Sequence, residues 1–193
     1  MADRLTFSAS VQVRAAAADA FALVSDLRRK ARLNPNIEVI RVELLGEEPV
    51  REGSMFAHRF RKGPRIVEYR SRCVRFEPPR LFVSLGETDP PFEVRVTVEP
   101  TPAGCRLTQE ETVEATPALL DALDPAPAGG TGLGEMMRWL SLFPGGRRLG
   151  TELGAHQRER VARRLSEELR QWLEAIRQHL EPGGACGQDR GDT

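Results

Sequence analysis

The chain has 193 residues, 40% hydrophobic and 29% charged, with 28 Lys and Arg balanced by 28 Asp and Glu. That length suits one globular domain of roughly 150 residues plus an extension, and the neutral balance leaves no basic footprint for nucleic acid and no acidic tail. The longest apolar run, residues 20–24, is far short of the ~20 residues of a membrane span. No apolar stretch of signal-peptide length follows the N-terminus, so a cytoplasmic location is expected.

Residues 7–14 alternate strictly, with Phe7, Ala9, Val11 and Val13 on one face, as a half-buried strand does. Over residues 16–29 the period changes: Ala17, Phe21, Val24 and Arg28 mark a helix that carries Arg28, Arg29 and Lys30 near its end, where cations suit the helix dipole. A short second helix or turn then runs to Pro35. Lys occurs only at Lys30 and Lys62, every other basic residue being Arg, and nothing functional is drawn from that bias.

From residue 37 to 114 strands alternate with turns near residues 46–53, 62–64, 78–79, 89–91 and 101–104, which describes an antiparallel meander. Closing the hairpin at Gly63 sets Phe60 opposite Val67, His58 opposite Tyr69 and Phe56 opposite Ser71. The next two turns set Cys73 by Val83, Ser71 by Leu85, Leu85 by Phe92 and Val83 by Val94. The last sets Val98 by Leu107, Val96 by Gln109 and Val94 by Glu111. One face then collects Ile40, Val42, Leu44, Phe56, Phe60, Val67, Cys73, Leu81, Val83, Leu85, Phe92, Val94, Val96, Val98, Leu107 and Val113. The opposite face pairs Arg59 with Glu68, Arg95 with Glu110 and Glu99 with Arg106, contacts worth about 0.2–1 kcal/mol each that argue for this register.

Thr116 and Pro117 have the chemistry of an N-cap and first helical residue. Residues 124–134 are rich in Pro and Gly. The apolar segment 135–143, with Met136, Met137, Trp139 and Phe143, lies between Gly/Pro hinges and is expected to act as a lid within an extended 116–150 segment. From about residue 151 to 181 a long helix carries one apolar stripe, Val161, Leu165, Leu169, Trp172, Ile176 and Leu180. Residues 182–193 are expected to be disordered.

The strand of residues 7–13 leading into the Ala-rich helix of residues 16–26, the hairpins of residues 38–112 and the helix of residues 161–180 follow one order. In that order the chain resembles the SRPBCC, or START-like, superfamily and its polyketide cyclase/dehydrase-like group, over residues 4–181. Two departures stand out: no Trp precedes Pro35, and the 116–150 segment is longer than usual. The resemblance implies an α+β helix-grip fold, in which a curved seven-stranded antiparallel sheet wraps a long C-terminal helix, with two short helices after the first strand. It also implies an apolar cavity between sheet and helix that takes a lipid, quinone or aromatic polyketide-like molecule, and an activity that in some relatives is enzymatic.

Five polar side chains interrupt the inner face: His58, Tyr69, Ser71, Gln109 and Glu111. Each needs a partner, because an unpaired buried polar group costs about 1–3 kcal/mol. His58 and Tyr69, as cross-strand neighbours, either satisfy each other or anchor the polar end of a ligand. Glu111 on an apolar face is either a desolvated acid–base group or a strand end open to water. The candidate ligand-binding set is Phe56, His58, Phe60, Tyr69, Ser71, Leu85, Val94, Val96, Gln109, Glu111, Trp139, Leu165 and Leu169, with His58, Tyr69 and Glu111 as catalytic candidates.

Cys73, Cys105 and Cys186 share no metal-ligand spacing, the Gly-rich stretch 129–134 lacks a phosphate-loop Lys, and His156 and His179 read as surface residues, so no metal and no cofactor is expected. Three functions follow in order: a carrier or sensor of a small hydrophobic molecule, a cyclase or dehydratase-type lyase, and a protein-interaction module.

Overall fold

A computed structural model describes residues 4–116, 119–120, 123 and 146–181, with side chains from residue 155 onward in the last segment. Strand β1 (Arg4–Val13) leads into helices α1 (Ala17–Ser25) and α2 (Leu27–Ala31). Strands β2 (Glu38–Leu45), β3 (Met55–Lys62), β4 (Arg65–Glu77), β5 (Leu81–Glu87), β6 (Phe92–Thr101) and β7 (Gly104–Glu114) follow, and helix α3 (Gly146–Leu180) ends the fold. All seven strands form one antiparallel sheet in the order β1-β7-β6-β5-β4-β3-β2. The meander pairs neighbours in sequence, and β1 closes the far edge on β7.

The expected registers of β3 with β4 and of β6 with β7 are those observed, from His58 opposite Tyr69 to Val94 opposite Glu111. Arg59 and Glu68 meet at 2.9 Å on the outer face. Between β4 and β5 the expectation is corrected. An irregularity between Cys73 and Arg75 shifts the ladder by one, so Cys73 faces Ser84 and Ser71 faces Gly86. Across the next turn Phe92 meets Gly86 and Val94 meets Ser84. One extra residue inverts the faces of the strand that follows. Leu85 is consequently 39% exposed rather than inward, and Leu81 and Val83 share the face of Arg75 and Arg95. A second irregularity between Val39 and Arg41 leaves Ile40, expected on the inner face, 43% exposed, and Val39 stands opposite Phe60.

The single helix expected over residues 16–29 is also corrected. The backbone is extended at Asp26, which ends α1, and its carboxylate accepts from the Arg28 N–H at 3.1 Å, so that it caps α2. The Arg28 guanidinium grips the same carboxylate at 2.9 Å through both Nε and a terminal nitrogen. The Arg28–Lys30 run thus forms α2 instead of ending α1. Thr116 behaves as expected, its hydroxyl accepting from Leu119 N–H at 3.2 Å.

One end of the sheet is filled. Phe21, Leu23 and Val24 of α1 and Leu173 and Ile176 of α3 pack on Val13, Phe56, Phe82, Val96 and Leu107, all at most 3% exposed. Cys73 and Cys105 are small buried thiols, as expected. A smaller cluster, Leu5, Leu120 and Val161, closes the other end against Phe7, Val113 and Leu165. Space remains between the two clusters. Cys186, Trp139, the lid segment and the 182–193 tail lie outside the described residues.

Gly104 opens the β6–β7 turn's return strand at φ +135°, and a Cβ there would lie 2.2 Å from the Val13 carbonyl oxygen. Gly104→Ala should cost at least about 2 kcal/mol, read as a lowered urea midpoint with unchanged slope.

Candidate functional site

The space between the clusters is a cavity of about 480 Å³, within the ~300–1,000 Å³ typical of small-molecule sites. The sheet contributes Val42, Phe60, Val67, Phe92 and Val94, and α3 contributes Leu165, Leu169 and Trp172. Of the candidate residues, His58, Phe60, Tyr69, Ser71, Val94, Gln109, Glu111, Leu165 and Leu169 all line this one space. Phe56 and Val96 belong to the solid core beside it, and Leu85 faces outward. Ser84 takes the inward place assigned to Leu85, for the reason given by the shifted ladder.

Sequence reasoning missed Lys30. Its side chain is 1% exposed and lines the cavity from α2. Trp172 holds it twice: the indole N–H donates to the Lys30 carbonyl at 3.1 Å, and the ammonium sits 4.7 Å from the ring centre. The amine donates to Gln109 Oε1 at 2.5 Å, and the Gln109 amide nitrogen donates in turn to Glu111 Oε1 at 2.6 Å. Gln109 thereby joins an amine and a carboxyl through one oriented amide. Burial lowers the Lys30 amine to about 8, against the pull of Glu111. Burial raises the Glu111 carboxyl above its ordinary value, opposed by Lys30, the Gln109 hydrogen bond and Lys62, and reinforced by Glu168.

His58 is corrected in its partner. Its Nε2 lies 2.8 Å from the Ser71 hydroxyl, while Tyr69 stacks on the ring at 4.4 Å and 8° without a hydrogen bond between them. Burial, with the Lys30 charge second, lowers the imidazole to about 4, so it is neutral at pH 7. Burial and the Glu111 charge push the Tyr69 phenol upward, so it too stays protonated. Phe60 and Phe92 meet the Tyr69 ring edge-on at 6.1 and 5.3 Å. Among the described residues the phenol oxygen has no hydrogen-bond partner. At the mouth, Lys62 of the β3–β4 hairpin and Glu168 of α3 form an ion pair at 2.5 Å. No group of three His, Cys, Asp or Glu side chains among the described residues is placed to hold a metal.

A larger, shallower groove of about 740 Å³ runs between β1 and α3 past Arg163, Arg164 and Arg170. Arg170 pairs with Glu167 at 2.8 Å and Arg164 lies 3.9 Å from Glu168, so the groove is a charged helix face open to water. The cavity between sheet and α3 is where polar groups converge, and it is the candidate site.

Comparison with known proteins places the chain by family and by fold. The model of the family described as polyketide cyclase / dehydrase and lipid transport matches residues 4–141. No curated protein matches the chain significantly. Among solved structures, the di-domain ARO/CYC BexL from the BE-7585A biosynthetic pathway is similar with TM-score 0.63 and 23% identity, over 92% of this chain and 50% of that one. The chain therefore spans half the length of that di-domain protein. The polyketide cyclase-like protein Cgl2372 from Corynebacterium glutamicum is similar with TM-score 0.51 and 22% identity, over 97% of this chain and all of that one. Norcoclaurine synthase from Thalictrum flavum, a point mutant in complex with a transition state analogue, is similar with TM-score 0.52 and 16% identity, over 65% and 84%. At these identities the likeness is one of fold.

Two predictions follow from the site's electrostatics. Gln109→Leu strands the Lys30 amine without its acceptor and should cost about 1–3 kcal/mol in urea unfolding. For His58, the unfolded chain takes up a proton from pH 6.5 downward that the folded chain refuses until about pH 4. The wild type should therefore lose up to about 3 kcal/mol relative to His58→Gln as pH falls through that window, with a flat difference above pH 7.

Proposed function

The chain belongs to the polyketide cyclase/dehydrase and lipid transport family, and from that premise we propose that it binds a small, mainly apolar molecule in the cavity between sheet and α3. The ligand carries an oxygen-bearing end that lies on the Lys30–Gln109–Glu111 line, and its apolar body lies against Phe60, Phe92, Leu165 and Leu169. The single observation that carries this reading is a buried amine and carboxyl, joined by one amide, in the wall of a mainly apolar cavity. An apolar cavity alone accepts hydrocarbons of any kind. The polar line adds direction and a preference for hydroxyl or carbonyl groups, and Tyr69 adds a phenol donor.

Acid–base catalysis of the cyclase or dehydratase type is the second reading. It is favoured by three groups of unlike protonation around one space, a neutral His58, an amine near its midpoint and a carboxyl held toward its acid form. Under that reading His58→Ala or Glu111→Gln abolishes turnover and leaves folding intact.

Equilibrium dialysis against naphthalene and 1,3-dihydroxynaphthalene tests the first reading. The dihydroxy compound should bind about 3–10-fold more tightly for each hydrogen bond gained. Val94→Phe, which fills the cavity from β6, should weaken both at least about tenfold with unchanged far-UV circular dichroism. Equal affinity for wild type and Val94→Phe would place the ligand elsewhere on the molecule.

A further inference from the structure

Resting on the cavity reading above, we propose that Lys30 is a nucleophile that captures the carbonyl carbon of an aldehyde or ketone ligand as a Schiff base. The argument starts from how the amine is held. A lysine kept only for structure at 1% exposure needs a carboxylate against it, because a buried ammonium without a counter-charge is among the costliest groups a fold can hold. Among the described residues the Lys30 nitrogen makes no ion pair, and its polar partner is the neutral oxygen of Gln109 at 2.5 Å. An amide oxygen accepts one N–H from a neutral amine as well as from an ammonium, more weakly in the neutral case, and it leaves the free amine's lone pair unengaged.

The surroundings favour the free amine further. His58 is neutral and Tyr69 is protonated, so the Trp172 ring face and the through-space pull of Glu111 are what oppose desolvation of the ammonium, and they hold it only to about 8. With its amine at about 8, Lys30 is about 10% free base at pH 7, where an ordinary lysine is well under 0.1%. A lysine activated by desolvation in an apolar pocket is one of the standard sources of an amine nucleophile. Arg could not serve, since its guanidinium stays protonated in any such site. The chain's other lysine, Lys62, is exposed at the mouth and ion-paired with Glu168.

The step balances within the site. The Lys30 lone pair forms a C–N bond as the carbonyl π bond opens onto oxygen, and a proton moves from nitrogen to that oxygen to give a carbinolamine. A proton from the Glu111 carboxyl makes the hydroxyl a leaving water, the C–O bond breaks, and the nitrogen's remaining proton returns to Glu111. One imine and one water result, with no change of oxidation state.

Reductive trapping in the 193-residue chain tests this. The protein is incubated at pH 7.5 with 2-naphthaldehyde, quenched with sodium borohydride and mapped by peptide mass spectrometry, while equilibrium dialysis follows 2-naphthaldehyde and the carbonyl-free 2-methylnaphthalene. The expected result is one adduct per chain at Lys30, formed at least tenfold faster than at Lys62 or the N-terminal amine, and lost in Lys30→Arg and Lys30→Met. Labelling at Lys62 or the N-terminus as fast as at Lys30 overturns the proposal. So does saturating 2-naphthaldehyde binding with Lys30 unmodified, and in that case the cavity reading stands. Failure of both naphthalenes to bind removes the cavity reading and this proposal together.

Discussion

Placing an ammonium group between a short helix and a sheet costs several kcal/mol, and the neighbourhood of Lys30 is organised around that cost. Trp172 supplies a ring face for the charge and an N–H for the Lys30 carbonyl. Gln109 turns its oxygen to the amine and its nitrogen to Glu111. Helix α2 must sit where its last turn meets both α3 and β7. The Asp26 cap, gripped by Arg28, gives this five-residue helix a defined start. A helix this short has little stability of its own, so its position comes from these tertiary bonds.

The same arrangement divides the interior. Beyond Trp172, α3 presents Leu173 and Ile176 to a packed core that also holds Phe56, Phe82 and Val96. Before it, Leu165 and Leu169 face the polar line across open space. A residue between these regions therefore has two tasks, and Trp172 performs both. Asn36 ties the adjacent loop to α3 as well, donating to the Glu168 carbonyl at 2.9 Å. Most of the site's polar and apolar side chains stand on strands and a long helix, which hold side chains more firmly than loops do.

Alternation and turn chemistry were enough to read the seven strands, the sequential order of the six in the meander, the long helix and two of the hairpin registers, because the outer-face charge pairs and inner-face apolar residues agree there. The β4–β5 register was not legible. In the run from Leu81 to Gly86, the outward set Leu81, Val83 and Leu85 is more apolar than the inward set Phe82, Ser84 and Gly86, since Ser84 faces the cavity instead of a core and Gly86 lies against the Phe92 ring. Hydrophobicity points to the wrong face in such a strand, and a bulge leaves no mark in alternation. His58, Tyr69, Ser71, Gln109 and Glu111 were found as polar interruptions of an apolar face. Lys30 was hidden because it sits in an Arg28-Arg29-Lys30 run that reads as a solvated helix end. A break in α1 at Asp26 changes the phase and turns its side chain inward. The scarcity of lysine in an Arg-rich chain was the one available signal, and it acquires meaning only once one of the two lysines is seen inside the cavity.

The central claim is that an amine with weakened basicity lies in the wall of the ligand cavity. Carbon-13 labelling of lysine at Cε gives one resonance for each of Lys30 and Lys62, which Lys30→Met assigns, and a pH titration reads the Lys30 midpoint directly. The account predicts a midpoint near 8 for Lys30. A midpoint in the ordinary lysine range of about 10.4 would contradict it, because the amine would then be solvated or fully ion-paired instead of held by Gln109 beside an apolar space.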